Sequence, residues 1–361
     1  MTGARAFTIG IAGAGLLGRL LAYQLARAGQ SVDVFDPAAS ERPSFDGHQA
    51  AAFTAAGMLS PLAELDNSSP EVAALGWRSL DLWRGIVAAL KAPPHFRSQG
   101  SLLLAHRSDL GAAQRVLARL ATALPGTPQA QALEMSELAR LEPALHGAAR
   151  AWLLPGEGQI DPVAAMRALH AEAAGVRWHW QRPVSSVGAG ELRFPDGTQA
   201  AFDLVFDVRG TGSSPELPVR GVRGETAWLH APGHGLTRPV RLLHPRHRVY
   251  LVPRPGDIVL VGASEIESED RSPVSLRSAV ELMSAAHSVM PALAEARIER
   301  LDVNLRPALP DNEPHIALSP GRVRINGLFR HGWLIAPALV EQALSGCGLA
   351  RPIVETIHEH V

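Results

Sequence analysis

Cysteine, lysine and net charge are all scarce in this 361-residue chain. Its one cysteine, Cys347, excludes a disulfide within the sequence and any cysteine-rich zinc site. The formal net charge is −1, so basic side chains do not outnumber acidic ones. This argues against a nucleic-acid-binding protein, which needs an excess of positive charge to bind phosphates. Lysine occurs once, at Lys91, so arginine supplies nearly all basic side chains. A single arginine is therefore weak evidence for function unless its surroundings are specific.

Long apolar runs are missing as well. The apolar run over residues 6–18 has some features of an export signal, but it holds patterned glycines and Arg19 interrupts it. No segment reaches the roughly 18 uninterrupted apolar residues that a membrane helix needs. Hydrophobic residues still make up 46% of the chain, which is enough for a sizeable core. We therefore predict a folded cytoplasmic protein of roughly two domains without a transmembrane segment.

The first 36 residues have the pattern of a β-α-β unit. Residues 7–12 form a short apolar run that suits a buried parallel strand. Leucines then recur at helical spacing up to Leu25, and Gly29 can close this helix in a left-handed conformation. Residues 32–35 predict a second strand, which ends at Asp36.

A dinucleotide-binding motif joins the first strand to its helix. Gly13 allows a tight turn, Gly15 lets the backbone approach a pyrophosphate, and Gly18 lets helix and strand pack closely. The helix N-terminus offers free N–H groups to phosphates, and Asp36 can accept hydrogen bonds from a ribose. The alternative is that these glycines serve packing alone. The motif by itself does not separate FAD from NAD.

The middle of the chain mixes helices with antiparallel strands. Residues 161–174 predict a helix capped by Asp161. Residues 240–252 and 258–261 predict a hairpin across Pro255-Gly256-Asp257. This pattern predicts a mixed α/β fold with interleaved domains.

Several motifs resemble those of a known family. The run TAAGMLSPLAE at residues 54–64 resembles the flavin-dependent D-amino-acid oxidase superfamily, in particular its glycine oxidase branch associated with thiamine synthesis. Further similar motifs follow in the same order: QIDP at 159–162, VRGET at 222–226, VYLVPR at 249–254, VGAS at 261–264, LRPALPDNEP at 305–314 and GLFRHGWLIAP at 327–337. Their order and spacing, from residue 7 to about 344, favour FAD over NAD.

The resemblance implies a Rossmann-like FAD-binding domain interleaved with an antiparallel-sheet substrate domain. It assigns residues 1–85, 145–215 and 300–361 to the first domain and residues 86–144 and 216–299 to the second. FAD would bind noncovalently in an extended pose.

The resemblance also implies which residues meet this cofactor. Gly13, Gly15 and Gly18 would meet the pyrophosphate, Asp36 the adenosine ribose, and Val184 the adenine. The segment along the flavin would consist of Thr54, Ala55, Ala56, Gly57 and Met58. The other predicted cofactor-binding residues are Gly210, Gly327, Gly332, Trp333 and Leu334.

Three residues would face the substrate. By resemblance, Arg306 binds the substrate carboxylate, Tyr250 lies on the substrate side of the flavin, and Arg330 lies near both. A planar guanidinium suits a carboxylate because it donates two parallel hydrogen bonds. The alternatives are a surface ion pair for Arg306, a core tyrosine for Tyr250, and a loop arginine that bonds carbonyls for Arg330.

The end of the chain predicts one more contribution to the site. Residues 338–344 predict a last helix with Pro337 at its start, and its N-terminus could stabilise negative charge on the flavin pyrimidine ring. The alternative is a helix that only docks the C-terminal segment.

No metal site is predicted. His244 and His247, with His230 and His234 nearby, lack clean ligand geometry among the prolines and arginines around them.

The chain departs from the family pattern at three places. Residues 207–213 read DVRGTGS where the family has a small-residue A-x-G-x-W-S run. Glu265 stands at a position that is often apolar or small, and His331 replaces the usual asparagine. These departures put glycine in doubt as the specific substrate.

The predicted function is oxidation of a small primary or secondary amino acid, such as glycine, sarcosine or a D-amino acid. Hydride leaves Cα for flavin N5, the imine hydrolyses to a 2-oxo acid, and oxygen or another acceptor takes the electrons. The alternatives are a dehydrogenase of amino or 2-hydroxy acids that reduces a quinone or protein partner, an RNA-acting amine oxidase, and a non-catalytic flavin-binding subunit. A homo-oligomer is compatible with the sequence, whereas a nucleic-acid partner is not expected.

Overall fold

Helices and strands mix in the first half of the chain, and a long series of strands with a short 3₁₀ turn follows over residues 177–262. The computed structural model describes residues 6–122, 125–243 and 248–349. The helices in these ranges are α1 (Leu16–Arg27), α2 (Pro61–Glu64), α3 (Pro70–Ala89), α4 (Leu110–Leu120), α5 (Met135–Leu141), α6 (Pro162–Glu172), α7 (Leu276–Val289) and α8 (Gly332–Gly346). Short 3₁₀ turns cover Ala51–Phe53, Arg107–Asp109, Gly210–Ser213 and Pro291–Glu295.

A six-stranded sheet carries the β-α-β unit. Its strands are β1 (Thr8–Ala12), β2 (Ser31–Phe35), β9 (Arg177–His179), β13 (Leu204–Asp207), β19 (His315–Ser319) and β20 (Arg322–Asn326). Their order is β19-β20-β13-β1-β2-β9, and every pair is parallel except β19 with β20. Helices α1, α3, α6 and α8 contribute apolar side chains to the core against this sheet.

The second large sheet has eight strands and is mostly antiparallel. They are β5 (Ser101–Ala105), β6 (Gln131–Leu133), β7 (Arg150–Leu154), β14 (Arg220–His230), β15 (Val240–Leu243), β16 (Arg248–Arg254), β17 (Ile258–Gly262) and β18 (Arg297–Ala308). Their order is β18-β14-β17-β16-β15-β5-β7-β6, and of these pairs only β15 with β5 is parallel. Helix α7 packs on one face of this sheet through a second apolar core.

Two small antiparallel sheets complete the described strands. One contains β10 (Ser186–Gly188), β11 (Glu191–Arg193) and β12 (Gln199–Ala201). The other contains β3 (Met58–Leu59), β8 (Gly158–Ile160) and β4 (Phe96–Arg97), with β8 in the centre.

The structure confirms the predicted mixed α/β fold and several local details. Strands β1 and β2 flank α1, and Gly29 after the helix has a φ of +77°. Asp161 caps α6 by accepting a hydrogen bond from the Ala164 N–H at 3.0 Å. Strands β16 and β17 form a hairpin across Pro255-Gly256-Asp257 as predicted. The prediction of one arm over residues 240–252 is wrong, because β15 and β16 are separate strands that pair antiparallel with each other.

The predicted domain edges can be compared with the sheets. The edges assign residues 145–215 and 300–361 to the cofactor domain, but β7 and most of β18 belong to the eight-stranded sheet. The division into domains stays a prediction. No helix among the described residues combines the length and apolar character that crossing a membrane requires.

Candidate active site

One large cavity lies between the two main sheets, with a volume of about 1340 Å³. Its walls come from the loop after β1, the residues around β3, the strands β14, β16 and β18, and the first turn of α8. This volume exceeds the roughly 300–1,000 Å³ of an ordinary small-molecule site. The cavity is large enough for an extended cofactor together with a small substrate.

All but two of the predicted site residues line this cavity. The exceptions are Gly18 and Gly327. A Cβ atom on Gly18 would overlap the carbonyl oxygen of Gly13, and one on Gly327 would lie 2.6 Å from the carbonyl oxygen of Glu313. Both glycines therefore permit close packing beside the cavity, and their predicted contact with the cofactor stays a prediction.

The glycine-rich turn presents backbone to the cavity. Gly13 has a φ of +106°, and a Cβ there would lie 2.7 Å from the carbonyl oxygen of Val208. Gly15, at the N-terminus of α1, has open space beside it, since the nearest atom to an added methyl group would be the Cβ of Ala50 at 3.7 Å. No side chain in the described part of the protein caps α1, so its first N–H groups are free to bind an anion.

Asp36 and Arg19 hold this turn in shape. Asp36 lines the cavity and accepts hydrogen bonds from the N–H groups of Ala14 at 2.6 Å and Ala38 at 2.9 Å. Arg19 is buried and donates to the carbonyl oxygens of Ala14 at 2.9 Å and Met166 at 2.8 Å. Burial lowers the pKa of Arg19 to about 10, so it stays charged at neutral pH. The sequence showed Arg19 only as a break in an apolar run.

The segment from Thr54 to Met58 lies along the cavity and is fixed from behind. Gly57 has a φ of +63°, and a Cβ there would overlap the carbonyl oxygen of Ile160. The Ile160 N–H in turn donates to the carbonyl oxygen of Gly57 at 2.9 Å. The buried guanidinium of Arg254 donates to the carbonyl oxygen of Ala56. These contacts make the segment a rigid wall.

The DVRGTGS departure forms a buried ion pair. Arg209 donates to both carboxylate oxygens of Asp207, at 2.9 Å each, and the two side chains are 8% and 0% exposed. Arg209 also donates to the carbonyl oxygen of Val184 at 3.1 Å, which ties this predicted adenine contact to the strand end. The charges of Asp207 and Arg209 therefore neutralise each other within the protein.

Helix α8 begins at the cavity, earlier than the sequence predicts. Its first residue is Gly332, and Pro337 lies inside the helix, so the predicted start at Pro337 is wrong. Trp333 donates its indole N–H to the carbonyl oxygen of Ala52 at 3.0 Å. Gly332, Trp333 and Leu334 all line the cavity. The N-terminus of α8 is thus positioned to meet negative charge there.

Arg306 on β18 and Tyr250 on β16 both face the cavity from the eight-stranded sheet. The Arg306 guanidinium donates to the carbonyl oxygens of Ser264 at 3.0 Å and Arg223 at 3.3 Å. It lies so close to Gly224 that a Cβ there would come 2.5 Å from Arg306 Nη2. Burial raises the pKa of the Tyr250 hydroxyl, so this group is neutral and able to donate.

A buried carboxylate, Glu64, joins the cations of the site. Its oxygens accept hydrogen bonds from Arg241 Nη2 and Arg330 Nη2, both at 2.8 Å, and His331 Nδ1 lies 3.2 Å away. Burial alone would raise the pKa of Glu64, but Arg330, Arg241 and His331 hold it well below its usual range. Glu64 is the last residue of the TAAGMLSPLAE motif, but nothing in that motif indicated that it binds arginines at the site.

Arg330 is occupied by protein carboxylates on both terminal nitrogens. Nη2 donates to Glu64, and Nη1 lies 3.3 Å from Glu265 Oε2. Although burial would lower the pKa of Arg330, these two carboxylates raise it. Its predicted contact with a substrate carboxylate stays a prediction.

The described residues contain no cluster of three or more metal-ligating side chains. His230 and His234 belong to this part of the chain, whereas His244 and His247 lie outside the described residues.

The cavity has the features of a dinucleotide site. It combines a glycine turn that a Cβ would obstruct, an uncapped helix start that offers N–H groups, and an acid at the end of β2. An anionic pyrophosphate fits the first two features, and a ribose fits the third. The fold and the cavity therefore define a dinucleotide-binding protein.

Comparison with known proteins identifies the dinucleotide. The sequence model of the family described as "FAD dependent oxidoreductase" (DAO) matches residues 8–342. A Rhizobium etli protein with the provisional name thiamine biosynthesis oxidoreductase ThiO is 38% identical over 329 residues, 91% of this chain and 92% of that protein. A glycine oxidase of Bacillus licheniformis is 28% identical over 358 residues, 92% of this chain and 90% of that protein.

A solved structure agrees with this result. The glycine oxidase of Geobacillus kaustophilus has the same fold, with a TM-score of 0.79 and 24% identity over 96% of this chain and 99% of that one. The chain belongs to the DAO family of FAD-dependent oxidoreductases. It is therefore an enzyme whose cofactor is FAD.

Proposed function

We propose that this enzyme oxidises a small primary or secondary amino acid to an imine, which hydrolyses to a 2-oxo acid and an amine or ammonia. The observation that carries the proposal is Arg306. It lines the cavity, and within the described residues it has no carboxylate partner at ion-pair distance. A cavity-lining guanidinium without such a partner can pair with an anionic group of the substrate.

The chain's own residues would orient the substrate. The carbonyl oxygens of Arg223 and Ser264 fix the guanidinium group of Arg306, so its remaining N–H groups can hold a carboxylate in one orientation. Tyr250 supplies an aromatic wall and a neutral hydroxyl beside it. Bound FAD would supply the electron acceptor, which takes hydride from the substrate Cα.

The residues that would hold FAD follow from the cavity walls. Gly13, Gly15 and the start of α1 would bind the pyrophosphate, and Asp36 the ribose. The segment from Thr54 to Met58 and the first turn of α8 would contact the flavin, where the helix N-terminus favours negative charge. The names of the glycine oxidase and ThiO relatives support a glycine-like substrate.

The proposal is tested by assaying the FAD-loaded protein with glycine, sarcosine and D- and L-amino acids. We expect peroxide and a 2-oxo acid to appear together. An Arg306→Leu variant should lose about 100-fold or more in kcat/KM, because the substrate carboxylate is left unpaired. Arg84→Leu, which removes an exposed ion pair with Asp81, is the control and should behave like the parent protein.

The same assay identifies the electron acceptor. Dye reduction without oxygen consumption would indicate a dehydrogenase. The cytoplasmic location of the protein stays a prediction. Absence of amino-acid turnover with every acceptor would contradict the proposed function.

A further inference from the structure

Three arginines line the substrate end of the cavity, and they are not equivalent. Arg241, Arg306 and Arg330 all line the cavity, as does Tyr250. Arg241 and Arg330 have side chains that are only 16% and 15% exposed, and both are bound to Glu64. Arg306 makes only carbonyl contacts within the described part of the chain.

Glu64 is held where it can bind both arginines. It ends the one-turn helix α2, and the N–H of the preceding residue, Ala63, donates to Glu157 Oε1 at 2.8 Å. Glu64 itself is 6% exposed and contacts Arg241 through one oxygen and Arg330 through the other. The carboxylate therefore cannot rotate away without leaving a buried arginine unpaired.

Glu265 occupies the other side of Arg330. Its carboxylate lies 3.3 Å from Arg330 Nη1, with its side chain 47% exposed. At this exposure water screens the pair, so its contribution is small beside that of Glu64. Glu265 nevertheless adds a second negative charge at the cavity wall.

We propose that Glu64 is a positioning residue that limits the site to substrates with a single carboxylate. It neutralises Arg241 and Arg330, with Glu265 assisting at Arg330, so that of these three arginines only Arg306 is left to pair with a substrate anion. A second carboxylate would have to displace Glu64 or remain unpaired beside Glu265, and both are unfavourable in a buried site. This inference rests on the proposed function, which assigns the substrate carboxylate to Arg306.

The test compares two probes that differ by one carboxylate, acetate and malonate. Their dissociation constants are measured from the change in flavin absorption of the FAD-loaded protein, for the parent and for Glu64→Gln. The variant should bind malonate about tenfold or more tightly relative to acetate than the parent does, because two arginines lose their partner. If Glu64 had only a structural role, its replacement would weaken the binding of both probes alike. The ratio of the malonate and acetate dissociation constants would then stay unchanged.

Two further variants make the result decisive. Glu142→Gln removes a buried carboxyl group that binds Arg238 and Thr237 and does not line the cavity, so the ratio of its malonate and acetate dissociation constants should equal that of the parent. Glu265→Gln changes a half-exposed residue and keeps the test possible if Glu64→Gln fails to fold. It should raise relative malonate binding about threefold.

The outcomes separate this inference from the proposed function. An unchanged ratio in every Glu64 and Glu265 variant that folds and still binds acetate would overturn the inference alone. Acetate binding without turnover of any amino acid would overturn the proposed function, while the ratios would still report on Glu64.

Discussion

The indole N–H of Trp83 donates a hydrogen bond to the carbonyl oxygen of Trp333, at 2.9 Å. In a regular helix this carbonyl would accept from residue 337, but Pro337 has no N–H. The two indole rings also stack, with centroids 5.5 Å apart. Helix α3 thus supplies the bond that the proline removes from α8, in the turn of α8 that lines the cavity.

Replacing Trp83 by phenylalanine should destabilise the protein by about 1–3 kcal/mol. The aromatic packing is largely kept, but the buried carbonyl of Trp333 loses its donor. The measurement is the free energy of unfolding from denaturant titration of the FAD-free and FAD-loaded protein.

Pro337→Ala is the matched partner for this experiment. Alanine restores the backbone N–H, so in the Trp83→Phe background it should recover about 1 kcal/mol more than it does in the parent protein. Equal effects of Pro337→Ala in both backgrounds would mean that the indole does not replace the helical hydrogen bond.

Alanine at Gly15 should mainly weaken cofactor binding, whereas alanine at Gly18 should mainly lower stability. Gly15→Ala places a methyl group in the open space beside the cavity, where the cofactor would approach, so it should weaken FAD binding about tenfold or more. Alanine is also a poorer N-cap residue than glycine, which should cost about 1 kcal/mol of stability. Gly18→Ala overlaps the Gly13 carbonyl and should destabilise the FAD-free protein by about 1–3 kcal/mol or more. Denaturant unfolding and FAD titration separate the two effects.

The Asp207–Arg209 pair should behave as a buried unit. Arg209→Met leaves the fully buried Asp207 without its main partner and should destabilise the protein by about 3–5 kcal/mol. The double variant Asp207→Asn/Arg209→Met removes both charges and should be more stable than the single variant. If the double variant loses as much free energy of unfolding as Asp207→Asn and Arg209→Met lose together, the two charges do not interact.

Local patterns predicted much of the fold and one end of the site. The glycine turn, α1 and Asp36 lie within one β-α-β unit, so their spacing alone indicates what they do. The β16–β17 hairpin was likewise predictable because its turn residues lie between two apolar runs.

Other features depend on residues far apart in the chain. Glu64 lies in a single helical turn with no periodicity to reveal it, and its arginine partners are 177 and 266 residues away. Pro337 was predicted to begin a helix because proline favours the first turn. Inside α8 it leaves the Trp333 carbonyl without a helical donor, and the Trp83 indole, 250 residues away from Trp333, supplies that donor.

The Glu64 cluster should make stability depend on acid pH. Burial alone would raise the pKa of Glu64, but Arg330 and Arg241 hold it well below its usual range, and an unfolded glutamate titrates at about 4.3. A carboxyl with a lowered pKa contributes stability above its unfolded pKa, and this contribution is lost as the pH falls toward its folded pKa. The parent should therefore exceed Glu64→Gln in free energy of unfolding by about 3–5 kcal/mol at pH 7, and the difference should shrink steadily below about pH 4.3. Urea unfolding of both proteins at several pH values between 7 and 3 measures it. A difference that stays constant across this range would show that Glu64 is not the titrating group. Glu142→Gln serves as the buried control, because the partners of Glu142 are Thr237 and Arg238.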